Sequence, residues 1–184
     1  MLENDRTQTP NSSLSKMTQQ GAIAIGRTPA RLAAIQSLYE MEMSDKAADI
    51  VLNDVARRRD MLSGEGDELG SPPPETDMAF CAELVHGVSE NTEAIDHVIG
   101  RSMSEGRTPE KLEKILRIIL RVGAYEIGQR RDIDPPVTIS EFVKLTERFY
   151  ADKEPGLVNG LLDHIARELR ANDMARINDN ARQR

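Results

Sequence analysis

From Pro109 to Gln129 the chain reads PEKLEKILRIILRVGAYEIGQ, and this segment limits the fold more than any other. Leu112, Ile115, Leu116, Ile118, Ile119 and Val122 recur at helical spacing on one broad face, while Lys114, Arg117 and Arg121 fall on the opposite one. A helix with so wide an apolar face must be covered by other elements, and its charged side reads by default as a solvated stripe. Those other elements are helices too, because no segment alternates apolar and polar residues with the period of two that a half-buried strand requires.

Thr28 as N-cap and Pro29 at the first helical position predict a helix carrying Leu32, Ile35 and Leu38. Ser44 caps a second, with Ala47, Ile50, Val51 and Val55. Thr76 or Asp77 caps a third, where Met78, Cys81, Leu84, Val85 and Val88 form a stripe flanked by Phe80. Asn91 or a neighbour then restarts the helix through Ile95, Val98 and Ile99. Beyond DIDPP, one helix carries Phe142, Val143, Leu145 and Phe149, and the last carries Val158, Leu161, Leu162, Ile165 and Leu169. Small residues at Gly123 and Ala124, and the pair Asn159 and Gly160, read as close helix crossings. Six or seven helices with short connections predict an all-α domain over residues 26–172. Residues 1–25 and 173–184 read as flexible tails, and the acidic stretch with three successive prolines at 61–76 reads as a loop.

Chemistry is excluded more readily than assigned. The single Cys81 rules out an internal disulfide framework and a cysteine zinc site; its apolar setting predicts a packed core thiol in a reducing, cytoplasmic protein. His86, His97 and His164 lack metal-ligand spacing, and there is no phosphate loop or nucleophile elbow. No catalytic residue, metal or cofactor is therefore expected. Glu65, Asp67 and Glu68 sit in the loop and read as solvated acids. Glu126 falls on the apolar side near Ile115 and Ile119, where a carboxylate needs a partner, and Arg130 one turn later is the candidate. No apolar run reaches the ~20 residues needed to cross a bilayer.

With 24 basic and 31 acidic residues the formal charge is -7, so nucleic-acid binding must come from a local patch. GRTPARL at 26–32 offers one. It begins like GRTPEKL at 106–112, yet Glu110 and Glu113 complement the helix dipole in the second copy, whereas no acid lies between Asp5 and Glu40 around the first. Arg27 and Arg31 there are either ordinary solvated charges or, with the helix N-terminus, an anion site.

ILRIILRVGAYEI at 115–127, followed by VTISEFVKLTERF and LVNGLLD, resembles the NusB antitermination family, and ARLAAIQSLY and FCAELVHGVSENTEAID fall in that family's order. The resemblance covers about residues 27–170. It implies two small helical bundles side by side, the first ending near residue 60 and the second spanning 77–172. It implies a non-enzymatic factor that binds boxA RNA together with the ribosomal protein NusE and joins RNA polymerase and other Nus factors, chiefly on rRNA operons. A NusB-like module serving an rRNA methyltransferase is the alternative. By the family pattern Arg27 and Arg31 are RNA contacts, and Tyr39 lies at the edge of the NusE surface or in the core. Leu116 stands where family members often carry an acid that meets NusE in some of them, so the resemblance implies no such contact here. Gly156 and Leu157 replace a lysine-aromatic pair near RNA, with Lys153 as a substitute charge.

Overall fold

The structure, a computed structural model, describes residues 12–64 and 75–182, with the backbone alone for 12–25, 61–64, 178 and 180–182. Among the described residues it is all-helical. The elements are α1 (Ser12–Ser44), α2 (Ala48–Gly64), α3 (Met78–Glu90), α4 (Thr92–Ser102), α5 (Lys114–Gln129), α6 (Pro135–Thr146), α7 (Glu154–Leu169) and α8 (Ala171–Arg182), with a 3-10 turn at Pro109–Lys111 before α5.

Several boundaries differ from the sequence reading. The first helix does not begin at Thr28, because α1 runs back to Ser12 with Pro29 inside it, so residues 12–25 are helix where the sequence predicts a tail. Proline removes one main-chain donor from such a helix. At that turn the Gly26 carbonyl accepts the N–H of Asp77 at 3.1 Å, a bond that joins α1 to the start of α3. The Thr28 hydroxyl caps nothing and donates to Glu141 on α6. Ser44 ends α1 instead of opening α2: its hydroxyl donates to the Glu40 carbonyl at 2.7 Å, and Asp45 takes a left-handed φ of 55° that stops the helix. Residues 173–182, expected as a tail, belong to α8, whose Met174 is buried against the core. The expected loop overlaps the end of α2 at 61–64, and its residues 65–74, like 1–11 and 183–184 of the tails, lie outside the described residues.

Two bundles lie side by side. α1, α2 and α3 form one; α4, α6 and α7 form the other around α5, which also packs on α1 and α3. α3, although it follows the proline loop, covers the apolar face of α1. Ile118, Ile119, Leu120 and Val122 of α5 are buried, which is why its apolar face has to be so wide. At Gly123 an added Cβ would lie 2.9 Å from Leu162, so the backbones of α5 and α7 do cross closely there. Gly160 does not share that role, since nothing lies within 4 Å of its Cβ position, and Asn159 beside it is exposed.

The charged side of α5 is not a solvated stripe. Arg117 and Arg121 donate to Glu42 of α1 at 3.1 and 2.7 Å, and Arg121 also forms a two-bond fork with Asp96 of α4 at 2.8 and 2.7 Å. These pairs tie the C-terminal end of α1 across the two bundles.

Deeper inside, Glu126 is fully buried and its partner is Arg31 of α1, not Arg130. Arg31 Nε donates to Glu126 Oε2 at 2.8 Å and Nη2 to Oε1 at 2.7 Å, while the Thr138 hydroxyl of α6 donates to the same Oε1 at 2.7 Å. Glu141 of α6 lies 3.5 Å from Arg31 Nη1. One guanidinium thus satisfies a carboxylate and joins three helices.

Removing one member of a buried pair leaves the other charge without compensation, which typically costs about 3–5 kcal/mol. Glu126→Ala is expected to lose that much in urea unfolding, whereas Gln129→Ala, at an exposed site on the same helix, should change little. Cys81 provides a second check. Burial, with the charge of Asp77 adding to it, pushes its thiol up to about 12. Because the folded value lies above the roughly 8.5 of an exposed thiol, this group's stabilisation is complete below that pH and falls as pH rises towards 12. Native protein should therefore resist thiol-reactive dye at pH 8 and label promptly once unfolded.

Candidate nucleic-acid interface

Arg27, one turn before Arg31 on α1, reaches the surface beside the first turn of α3. That turn is positioned by Asp77, whose carboxylate accepts the Phe80 N–H at 2.9 Å as an N-cap. Phe80 is 3% exposed and is faced by three guanidiniums, with the carbons of Arg27, Arg31 and Arg130 lying 5.2, 5.4 and 4.8 Å from its ring centroid. Each distance is within the range of a cation-π attraction. The aromatic face helps one small region hold three like charges.

Carboxylates do most of that work. Arg130 donates to Asp132 through Nε at 2.8 Å and Nη2 at 2.9 Å, and through Nη1 to Glu83 at 2.6 Å. Arg27 reaches the same Asp132 through Nη2 at 3.3 Å, and its Nε is buried without a partner. Bonding to Arg130, with the charge of Arg27 adding, holds the Asp132 carboxyl well below the usual carboxylate range. The loop bearing Asp132 is fixed from below by Arg170, which is 3% exposed. Its Nη1 donates to the carbonyls of Ile133 at 2.7 Å and Arg130 at 3.2 Å, and its Nε to Asp173 at 2.6 Å.

The two arginines singled out from the sequence therefore part company. Arg31 is 3% exposed and bound to Glu126, so the structure removes it from the surface an RNA strand could touch. Its donors face acids of its own chain, and the helix end expected to reinforce it lies upstream at Ser12. Arg27 stays partly open, with 22% of its side chain exposed. Lys153 sits at the N-cap position of α7, exposed. Arg148 and Phe149 stand exposed in the turn after α6, and neither Arg148 nor Lys153 forms an ion pair among the described residues. Phe149, expected on the apolar face of its helix, is 39% exposed because α6 ends at Thr146. Sequence reasoning passes over Arg148 and Phe149 as surface groups, although a signal exists: a basic residue next to an aromatic in a polar helix end.

Tyr39 is 37% exposed on α1, one turn from Met43, which accepts a contact from Lys114 Nζ at 3.2 Å. Leu116 is buried and belongs to the core. Among the described residues no group of three or more His, Cys, Asp or Glu side chains could hold a metal, and no helix is long and apolar enough to cross a membrane.

Comparison with known proteins agrees with this architecture. The NusB family model matches residues 28–167. The transcription antitermination protein NusB of Caulobacter vibrioides is 38% identical over 144 residues, covering 78% of this chain and 94% of its own. That of Sinorhizobium medicae is 33% identical over 165 residues, covering 89% and 96%. Among solved structures, T. maritima NusB superposes with a TM-score of 0.63 at 25% identity, covering 80% of this chain and 96% of that one. A chain from a crystal structure of the antitermination factors NusB and NusE in complex with dsRNA shares the fold, with a TM-score of 0.61 at 20% identity over 77% of this chain and 96% of that one. Matched in helix order, in length and in sequence over most of its extent, this chain belongs to the NusB family.

Proposed function

We propose that this protein is a transcription antitermination factor that binds boxA RNA together with NusE and joins RNA polymerase and other Nus factors, chiefly on rRNA operons. It acts in the cytoplasm as an adaptor and catalyses no reaction. The observation that carries the reading is the identity of 38% over 144 residues to a protein named for transcription antitermination, supported by a shared fold with a chain crystallised with NusE and dsRNA.

The RNA path favoured by the chemistry runs from Arg27 to the turn between α6 and α7. Glu141, which touches α1, lies five residues before Thr146 at the end of α6, roughly 8 Å along the helix at 1.5 Å per residue, and Arg148 follows in the turn. A single strand laid over that distance meets Arg27, Arg148 and Lys153 through its phosphates. Phe149 offers a face on which a base can stack. Tyr39, on the other end of the described surface of α1, is assigned to NusE.

A gel shift with boxA RNA, with and without NusE and beside a scrambled RNA, tests the reading. Selective binding that NusE strengthens is expected; binding indifferent to both would overturn it. Arg27→Ala, Arg148→Ala and Lys153→Ala should each reduce the slope of log affinity against log salt by about 0.7, the share of one neutralised phosphate on a single strand. Phe149→Ala should weaken binding with little change in slope. Arg31→Glu is a poor probe, since it would place a third carboxylate against Glu126 and Glu141 and disturb folding. Tyr39→Ala should lower NusE affinity roughly 5-fold or more while leaving RNA binding without NusE unchanged.

A further inference from the structure

Around Phe80, three guanidiniums meet four carboxylates: Arg27, Arg31 and Arg130 against Glu83, Glu126, Asp132 and Glu141. Lys144 pairs with Glu141 at 3.4 Å and makes the cluster neutral overall, so a phosphate approaching Arg27 meets a guanidinium already matched by Asp132. The acids are not equivalent. Glu126 is buried and bound by Arg31, and Glu141 accepts from Thr28 and faces Arg31, so neither can release its partner without disturbing the core. Glu83 touches Arg130. Asp132 is the carboxylate that contacts Arg27 itself, and half of its side chain is open to solvent.

We propose that Asp132 sets the RNA affinity of this protein by competing with backbone phosphate for the Arg27 guanidinium. This rests on the reading of Arg27 as an RNA contact. The geometry makes the exchange inexpensive: Arg27 makes one bond to Asp132, at 3.3 Å, whereas Arg130 makes two, at 2.8 and 2.9 Å. When a phosphate oxygen takes the place of Asp132 Oδ2 at Arg27 Nη2, the carboxylate keeps both bonds to Arg130 and is never left unpaired. Arg27 Nε, without a partner in the free protein, becomes available as a second donor if the side chain turns outward. Asp132 cannot swing far in the unbound state, because Arg170 holds the carbonyls on either side of it.

The test is a titration of a boxA RNA oligonucleotide with NusE and the wild-type protein, Asp132→Asn, Arg27→Ala and the double variant, followed by fluorescence anisotropy. Asp132→Asn should bind up to about 5-fold more tightly, the scale of one partly exposed ion pair. The gain should vanish when Arg27 is alanine. Affinity no higher than wild type in Asp132→Asn, or a gain that persists without Arg27, overturns the proposal while leaving the RNA reading intact. An Arg27→Ala variant that binds RNA as well as wild type overturns both. If asparagine loosens the loop, the unmodified protein supplies a second reading. The Arg27 Nε–Hε resonance, followed by NMR at neutral pH, should move when RNA is bound while that of Arg130, which keeps both bonds to Asp132, holds its place; an unmoved Arg27 resonance refutes the exchange.

Discussion

The two-bond contact between Arg31 and Glu126 is the interaction on which the arrangement of helices depends. It lies inside the molecule, links α1 to α5 and, through Thr138 and Glu141, holds α6 against both. An apolar pair of similar size could stabilise the core as much or more, because two charges must be stripped of water first. What the ion pair adds is register. Leucines tolerate a shifted partner, but a fork of two bonds at 2.8 and 2.7 Å is satisfied at one rotation and one height of α1 on α5. Everything on the surface near residue 27 inherits its place from that alignment.

From the same logic follows the behaviour of the other charges. Arg117 and Arg121 hold Glu42 and Asp96, Arg130 holds Glu83 and Asp132, and Arg170 grips main-chain carbonyls at the end of α5. In a chain with a formal charge of -7, these arginines are joints between helices and offer little to a polyanion. Among the described residues the exposed cations without an ion pair are Arg107, Lys111, Arg131, Arg148 and Lys153, and the proposed RNA track uses Arg148 and Lys153 with a partly engaged Arg27. A narrow cationic track on an acidic body disfavours indiscriminate binding and makes affinity sensitive to single residues.

Much of this can be read from the chain. The wide stripe on α5, the stripes of α3 and α7, and the packed Cys81 follow from apolar periodicity, which reports burial directly. Periodicity says less about charged partners. Glu126 announces itself by lying among Ile119, Val122 and Ile127, but its partner is 95 residues away and no local rule reaches that far. The clue is on α1, where Arg31 shares the face of Ile35 and Leu38, the same anomaly that marks Glu126. Two misplaced opposite charges on two apolar faces define a pair. The start of α1 is hidden for a related reason: Thr-Pro is a strong local start signal, and the longer helix overrides it. α8 escapes the sequence pattern because it is polar almost throughout, with Met174 as a buried anchor.

The separation of Arg31, as a structural joint, from Arg27, as a surface cation, is the central claim, and arginine side-chain NMR tests it most directly. On addition of boxA RNA and NusE, the Nε–Hε resonance of Arg31 should stay in place and exchange slowly with water, while that of Arg27 moves. An Arg31 resonance that exchanges as quickly as a solvated side chain, or that follows the RNA titration, would contradict the account.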